Sequence, residues 1–279
     1  KLGNHANASA EIEYHGALAH RLGEEGAGVR TIIEMVHHTR LDTAIAPAGL
    51  MRAALAEAHW WVAGRRAFQK RLIDQPLMRA VLADLVLELE GALALGFAAA
   101  RAFDGTDEES RACARIAVAL AKFLNNKRCP VVVAEAMEML GGMGYVEETP
   151  MPMLYREAPL NGIWEGSGNV ICLDILRTLG KAPMAGAVLA DRLDGARGID
   201  RRFDAALAAH RARWSGLPGE AEARWFCESL ATLLAAAELI AGAPGPVVDG
   251  YCATRLGARG QVPGAVSGLD TESLIARLG

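Results

Sequence analysis

The sequence predicts an all-α fold with a short β segment at its start. Three observations carry that prediction. Alanine supplies about a fifth of the 279 residues and aromatics only 5%, a composition suited to close helix packing rather than to a β-sandwich. Apolar residues make up 52%, enough to bury a substantial core. From about Val29 onward these residues recur at helical spacing, punctuated by capping and proline signals.

Residues 1–30 are the exception. Asn7 to Tyr14 alternates weakly and is followed by Gly23, Gly26 and Gly28, which predicts one or two strands and a glycine-rich exit loop. Thr31 to Arg65 reads as a long helix that Pro47 kinks or interrupts, because proline lacks the N–H and clashes with the preceding turn. Asp74 is the expected cap of a second helix, with Pro76 in its first turn and its end near Phe103. That helix carries Asp84 and Glu88, four residues apart. Thr106-Asp-Glu-Glu109 has capping-box spacing, and Cys113, Ile116, Leu120, Phe123 and Leu124 continue it as a helical stripe. Pro130 breaks or restarts that run, and Gly141-Gly142 supplies a left-handed stop.

A short helix is expected over Val170–Leu179, capped by Ser167 or Asn169, and Lys181 to Gly186 reads as a linker. Beyond it, Ile199, Phe203, Leu207, His210 and Trp214 make one stripe, and Phe226, Leu230, Leu233, Ala237 and Ile240 make another. Leu217-Pro-Gly219 between them suits an antiparallel helix pair. Gly257 to Gly268 is loop-like, and Thr271 to Leu278 has room for a last helical turn or two.

Charge and cysteine usage narrow the function classes. With 29 Lys+Arg against 33 Asp+Glu, the net charge of −4 gives no global reason to expect nucleic acid. Arg201, Arg202, Arg211 and Arg213 suggest a basic stripe, but Lys181 to Gly279 holds eleven basic and eleven acidic residues, the balance of a solvated helix face. Cys113, Cys129, Cys172, Cys227 and Cys252 are odd in number and contain no C-x-x-C, which argues against a disulfide framework or a thiolate zinc site and for a reducing cytoplasmic compartment. His37, His38 and His59 are too few and too ill-spaced for a metal site, so no metal is expected. The apolar run Leu230 to Val248 contains Glu238, Pro244 and Pro246, so no membrane span is expected there. No signal peptide is visible, and a first residue Lys1 rather than Met reads as the start of a fragment.

The densest chemical signal is Gly141-Gly-Met-Gly-Tyr145, then Leu154-Tyr-Arg-Glu157, then Ile163-Trp-Glu-Gly-Ser-Gly-Asn169. The glycines lack the strand-before, helix-after context of a dinucleotide fingerprint, so a helix stop accounts for them as well. Glu165 stands between Trp164 and Gly166, just before a helix whose N-terminus favours an anion. A carboxylate partly desolvated beside an indole is raised toward the range a general base needs. On the residues alone, an ordinary surface-loop glutamate remains the other reading.

These segments together resemble the C-terminal helical domain of acyl-CoA dehydrogenases, and more narrowly the AidB-like, adaptive-response branch of that family. The resemblance rests on Met137 to Thr149, Leu154 to Glu157 and Ile163 to Asp174. Arg65-Arg-Ala-Phe-Gln-Lys-Arg-Leu-Ile-Asp-Gln-Pro-Leu-Met78 is similar to the family's R-x-x-F-G segment. Lys1-Leu-Gly-Asn4 and Gly23-Glu-Glu-Gly26 are similar to the tail of its middle β-domain. The implied organisation is a β-domain remnant over 1–30, a C-terminal four-helix bundle over 31–181, and an AidB-like helical extension over 182–279. The family fold has an N-terminal helical domain and a β-domain before the bundle, so such a chain holds only part of a site.

The resemblance implies FAD as cofactor, an acyl-CoA thioester as substrate and a homotetramer, or dimer of dimers, as assembly. Glu165 matches the catalytic glutamate that removes the α-proton. Trp164, Ser167 and Asn169 match positions lining the flavin, Arg65 and Phe68 match contacts to the partner subunit's cofactor, and Gly141 and Gly142 match glycines where backbone approaches it. Arg40 matches an arginine near the base and, with Gly166, borders the substrate. Thr39 stands where some members carry their base instead, Gln69 replaces a glycine, Glu138 a glutamine, and His37-His38 replace polar residues. The branch implies weak dehydrogenation, with a non-catalytic flavoprotein serving DNA binding or alkylation protection as the alternative.

Overall fold

In the computed structural model, which describes residues 1–279, the apolar periodicity becomes three long helices, α1 (Gly28–Gly64), α2 (Pro76–Asp104) and α3 (Glu108–Met139). They pack on one another, and α5 (Gly168–Lys181) lies against α3 as the fourth member of the bundle. The short α4 (Met151–Glu157) bridges α1 and α3. Leu55, Leu82, Leu85, Leu95, Ile116 and Leu120 are fully buried between the long helices. Alanines at 44, 48, 54, 58, 98, 99, 117, 119 and 121 sit in the same interior, and small side chains there let the helix axes approach.

Proline behaves differently from the sequence expectation. Helix α1 runs through Pro47 and α3 runs through Pro130 without ending. Pro47 has no N–H for the carbonyl of Thr43, four residues back. The Asn126 side chain of α3 donates to that carbonyl at 2.9 Å, and Asn125 donates to the next one, of Ala44, at 2.9 Å. Both asparagines are buried, so the acceptors freed at the proline are satisfied from the neighbouring helix. The predicted break at Pro130 is therefore corrected: packing of an apolar face outweighs one lost hydrogen bond.

Other boundaries shift by a residue or more. The cap of α2 is Gln75, with Pro76 at the first helical position, while Asp74 pairs with Arg71. The cap of α3 is Asp107, which accepts from the Ser110 N–H at 2.8 Å, so the Thr106 capping box is not formed. Helix α3 ends at Met139 with Leu140 as its cap, and Gly141 just beyond, with φ +61°, is the expected left-handed stop. Residues 1–27 form no strand, because the alternating segment finds no sheet partner in this chain. The strands present are a two-residue antiparallel pair, β1 (Arg66–Ala67) and β2 (Lys70–Arg71).

Residues 182–279 form five further helices, α6 (Pro183–Gly195), α7 (Arg201–Arg213), α8 (Ala223–Gly242), α9 (Gly245–Arg255) and α10 (Thr271–Ile275). The expected linker at Lys181–Gly186 shrinks to Ala182, because Pro183 starts α6 at a position that tolerates proline. Helices α7 and α8 pack around Phe203, Leu207, His210 and Phe226, while Ile199 of the expected stripe precedes α7 and is 66% exposed. Glu220–Gly242 is long and apolar enough to cross a membrane, yet 61% of its most apolar window is buried against α2, α3 and α5, the pattern of a core helix.

The extension and the bundle share one continuous hydrophobic core. Ion pairs lock them together. Arg255 of α9 reaches the Asp84 carboxylate and, at 2.7 Å, the Asp84 carbonyl; it also reaches Glu88 at 3.0 Å. Arg255 and Asp84 are each 2% exposed in their side chains, so removing either partner strands a buried charge and costs about 3–5 kcal/mol. Arg277 holds Glu90, and Arg101 with Arg192 holds Glu238, along the same seam.

Candidate active-site loop

The segment between α4 and α5 turns through a one-turn 3-10 helix, Leu160–Gly162, and then through two left-handed residues. Glu165 has φ +57° and Gly166 φ +102°. The second is native to glycine; the first strains a residue with a Cβ, on the order of 1–3 kcal/mol, and persists only where surroundings dictate it.

The surroundings are cationic. Three consecutive carbonyls of this loop are held from below. Lys122 of α3 donates to Trp164 O at 2.9 Å and Gly166 O at 2.8 Å, and Arg40 of α1 donates through Nε to Glu165 O at 3.2 Å. Lys122 also donates to Asn161 O at 3.0 Å, so its three N–H donors meet three acceptors. The lysine is 2% exposed. Burial, helped by the charges of Arg40 and Lys127 and opposed by Glu165, pulls its pKa down to about 8. The Trp164 indole donates to the Asn161 side chain at 2.8 Å, which closes the turn on itself.

Arg40 is fixed in turn. Its Nη1 donates to Asp174 of α5 at 2.9 Å, and Arg115 of α3 donates to the other Asp174 oxygen at 2.6 Å. Burial alone raises the Asp174 carboxyl; the Arg115 hydrogen bond and the charges of Arg115, Arg40 and Arg177 outweigh it and hold the group below the usual carboxylate range. The same residues border an open cleft of about 870 Å³ between α1, α5 and the α2–α3 junction. Arg40, Arg111, Arg115 and Arg177 line it against the carboxylates of Glu34 and Asp174, so cations predominate. His37 stacks on Phe103 there at 4.8 Å. Its pKa is pushed down to about 4 by burial and then by Arg115, Arg40 and His38, which leaves it neutral at pH 7.

The predicted site residues fall into two groups. Glu165, Gly166, Trp164 and Arg40 come together in and under the loop. Ser167 is the N-cap of α5, but its hydroxyl makes no capping bond, and Asn169 is exposed in the first turn. Gly141 and Gly142 are exposed, with open space where a Cβ would stand. Arg65 and Phe68 lie at the other end of α1, on the order of 35 Å from Arg40 by helix rise. Both are exposed, Phe68 at 92%. Phe68 and Gln69 carry φ of +51° and +67°, so glutamine adopts here the conformation that glycine favours. Thr39 donates its hydroxyl to Val36 O at 3.1 Å.

Lys122, Arg115 and Asp174 escaped the sequence reading. The signal for Lys122 was a lone cation inside the apolar run Ala117 to Leu124. Three of the four arginines of the suggested basic stripe are paired locally. Arg202 pairs with Asp200 and Asp249, Arg211 with Asp194, and Arg213 with Glu222, all at 2.5–2.8 Å.

Comparison with known proteins places these features in a family context. A family model described as acyl-CoA dehydrogenase, C-terminal domain, matches residues 26–180. The putative acyl-CoA dehydrogenase AidB of Escherichia coli K12 is 42% identical over 263 residues, which is 94% of this chain and 48% of that protein. The structure of Caenorhabditis elegans ACDH-11 in complex with C11-CoA aligns over 92% of this chain and 48% of that one, with a TM-score of 0.72 at 24% identity, a likeness of fold. An acyl-CoA dehydrogenase from Bacillus anthracis complexed with FAD aligns over 92% of this chain and 54% of that one, with a TM-score of 0.65 at 15% identity, again a likeness of fold. The chain spans about half the length, or less, of the curated relatives it matches.

Proposed function

The chain belongs to the acyl-CoA dehydrogenase family, in its AidB-like branch, and on that premise we propose that it supplies the base for α,β-dehydrogenation of an acyl-CoA thioester, with Glu165 taking the α-proton. The observation that carries this reading is the strained Glu165 residue with its flanking carbonyls tied to Lys122 and Arg40. Strained residues over-determined by their surroundings cluster at functional sites, which is the ground for this reading. The Glu165 N–H has no partner within the chain, which leaves it free to donate to a thioester oxygen while the carboxylate takes the proton.

The residues also suit the implied flavin. Gly141 and Gly142 leave backbone open to close approach, Trp164 offers a part-exposed indole, and Arg65 and Phe68 present an unshielded cation and ring. Arg65 and Phe68, far from the loop, serve a cofactor held with a second copy of the chain. FAD, when bound, supplies the two-electron acceptor for the β-hydride. Arg40, Arg111, Arg115 and Arg177 give the cleft a cationic lining suited to the anionic part of a CoA ester, and neutral His37 adds apolar contact.

Anaerobic mixing of the flavin-loaded full-length protein with straight and branched acyl-CoAs tests the reading. Bleaching of the flavin visible band that disappears in Glu165→Gln supports it. Bound flavin that no acyl-CoA bleaches removes it.

A further inference from the structure

We propose that Lys122 is a positioning residue that aims and polarises the Glu165 N–H as donor to the thioester oxygen. The inference rests on the reading of Glu165 given above and adds a residue from a different helix. Trp164 C=O and Glu165 N–H belong to one peptide unit. That unit is planar and trans, so its carbonyl and its N–H point in opposite directions. Lys122 takes the carbonyl at 2.9 Å from inside the bundle, and the N–H is thereby turned away from the bundle interior. Lys122 takes the next carbonyl but one, Gly166 O, at 2.8 Å, so the peptides on either side of the Glu165–Gly166 unit are pinned by one ammonium.

The charge matters beyond the geometry. A cation on the oxygen of an amide draws electron density through the unit and strengthens its N–H as a donor, and in a dry interior that effect is weakly screened. Lys122 is buried at 2% exposure, and all three of its donors are spent on this loop. A donor fixed before charge develops on the thioester oxygen needs no reorganisation when the α-proton leaves. The groups that face Lys122 are Arg40 from α1, Lys127 on its own helix and the Glu165 carboxylate from the loop. Arg40 and Lys127 favour its neutral form, and Glu165 favours the ammonium.

The test reads the thioester directly. An acyl-CoA labelled with ¹³C at the carbonyl is bound to the flavin-loaded full-length protein, and its carbonyl stretch is measured by difference infrared spectroscopy. Exchange of its α-proton with D₂O is followed in parallel. In the unaltered protein the stretch falls relative to free ester. Glu165→Gln keeps that fall, because the N–H is backbone, and loses exchange. Lys122→Met binds the ester, loses most of the fall, and slows exchange at least about tenfold. A folded Lys122→Met protein with the full carbonyl shift overturns the role of Lys122 and leaves Glu165 as base. Exchange that persists in Glu165→Gln, or an unaltered protein that shows no carbonyl shift, overturns the base reading and the inference with it. Should Lys122→Met not fold, Lys122→Gln, a neutral donor toward the same carbonyls, is read in the same way: loss of most of the carbonyl shift supports the role of the ammonium, and a full shift overturns it.

Discussion

Helix α1 has a strained left-handed site near each end, and the two are supported in opposite ways. Near its start, the Glu165 loop lies over Arg40, and one buried and one part-buried cation hold three consecutive carbonyls. Just past its end, Phe68 and Gln69 adopt positive φ in an exposed turn between β1 and β2. There the support is slight: Arg66 donates to Gln69 O at 3.0 Å, and Arg71 pairs with Asp74 on the surface. Strain over-determined from within the chain marks a site this chain builds by itself. Strain with an exposed aromatic beside it, Phe68 at 92%, is not explained by contacts within this chain, and it is the turn for which a shared cofactor is proposed above.

The sharpest way to break the contrast is at Asp174. Asp174→Ala leaves Arg40 and Arg115 without their shared carboxylate in a part-buried setting. The expected loss is about 3 kcal/mol, the low end for breaking a buried pair because Arg115 keeps some solvent, read from chemical denaturation. The carboxyl of Asp174 is held below its usual range, so its contribution is present above the unfolded pKa and is lost as pH falls through the lower folded value. The variant accordingly flattens the acid end of the stability profile.

Asn126→Leu tests the helix between the two sites. It strips the Thr43 carbonyl of its substitute donor at Pro47 and costs about 1–3 kcal/mol. In a double-mutant cycle, Pro47→Ala restores a backbone donor and recovers part of the loss; strict additivity shows that Asn126 does not substitute for the missing proline N–H.

The helices themselves were legible, because periodicity and proline placement are local. Glu165 stands out locally, flanked by an indole and glycines in one short run, while its reading as a base comes from the family resemblance. What holds it was not. Lys122 reaches the loop across 42 residues, Arg40 across 125, and Asn126 reaches the Thr43 carbonyl beside Pro47 across 83. Buried polar partners chosen by tertiary packing leave no periodic trace in the sequence. Asp84 and Glu88 are similar: their spacing was visible, while the Arg255 that makes them a buried lock sits 171 residues away. Capping errors at Asp74 and Thr106 have a simpler origin. The residue one further on takes the cap in each case, Gln75 and Asp107, and Asp107 accepts from the Ser110 N–H.

Smaller effects distinguish the exposed turn. Gln69→Gly removes the positive-φ penalty and raises stability by about 0.5–1 kcal/mol, seen as a higher melting temperature. A decrease shows that the glutamine side chain supports the turn. Arg65→Ala changes stability by less than about 0.5 kcal/mol, since the side chain is exposed. Yet it weakens flavin binding by the full-length protein about tenfold or more, the loss expected for a charge-assisted contact. Unchanged flavin affinity, by equilibrium titration, rules Arg65 out as a cofactor contact.

The most direct measurement is exchange of the α-proton of a bound acyl-CoA into D₂O, followed by NMR, in the unaltered full-length protein and in Glu165→Gln. Exchange is expected to depend on the ester being bound and to disappear when the carboxylate becomes an amide. Exchange that continues unchanged in Glu165→Gln contradicts that expectation, and the strained loop over Lys122 and Arg40 then serves some purpose other than proton removal.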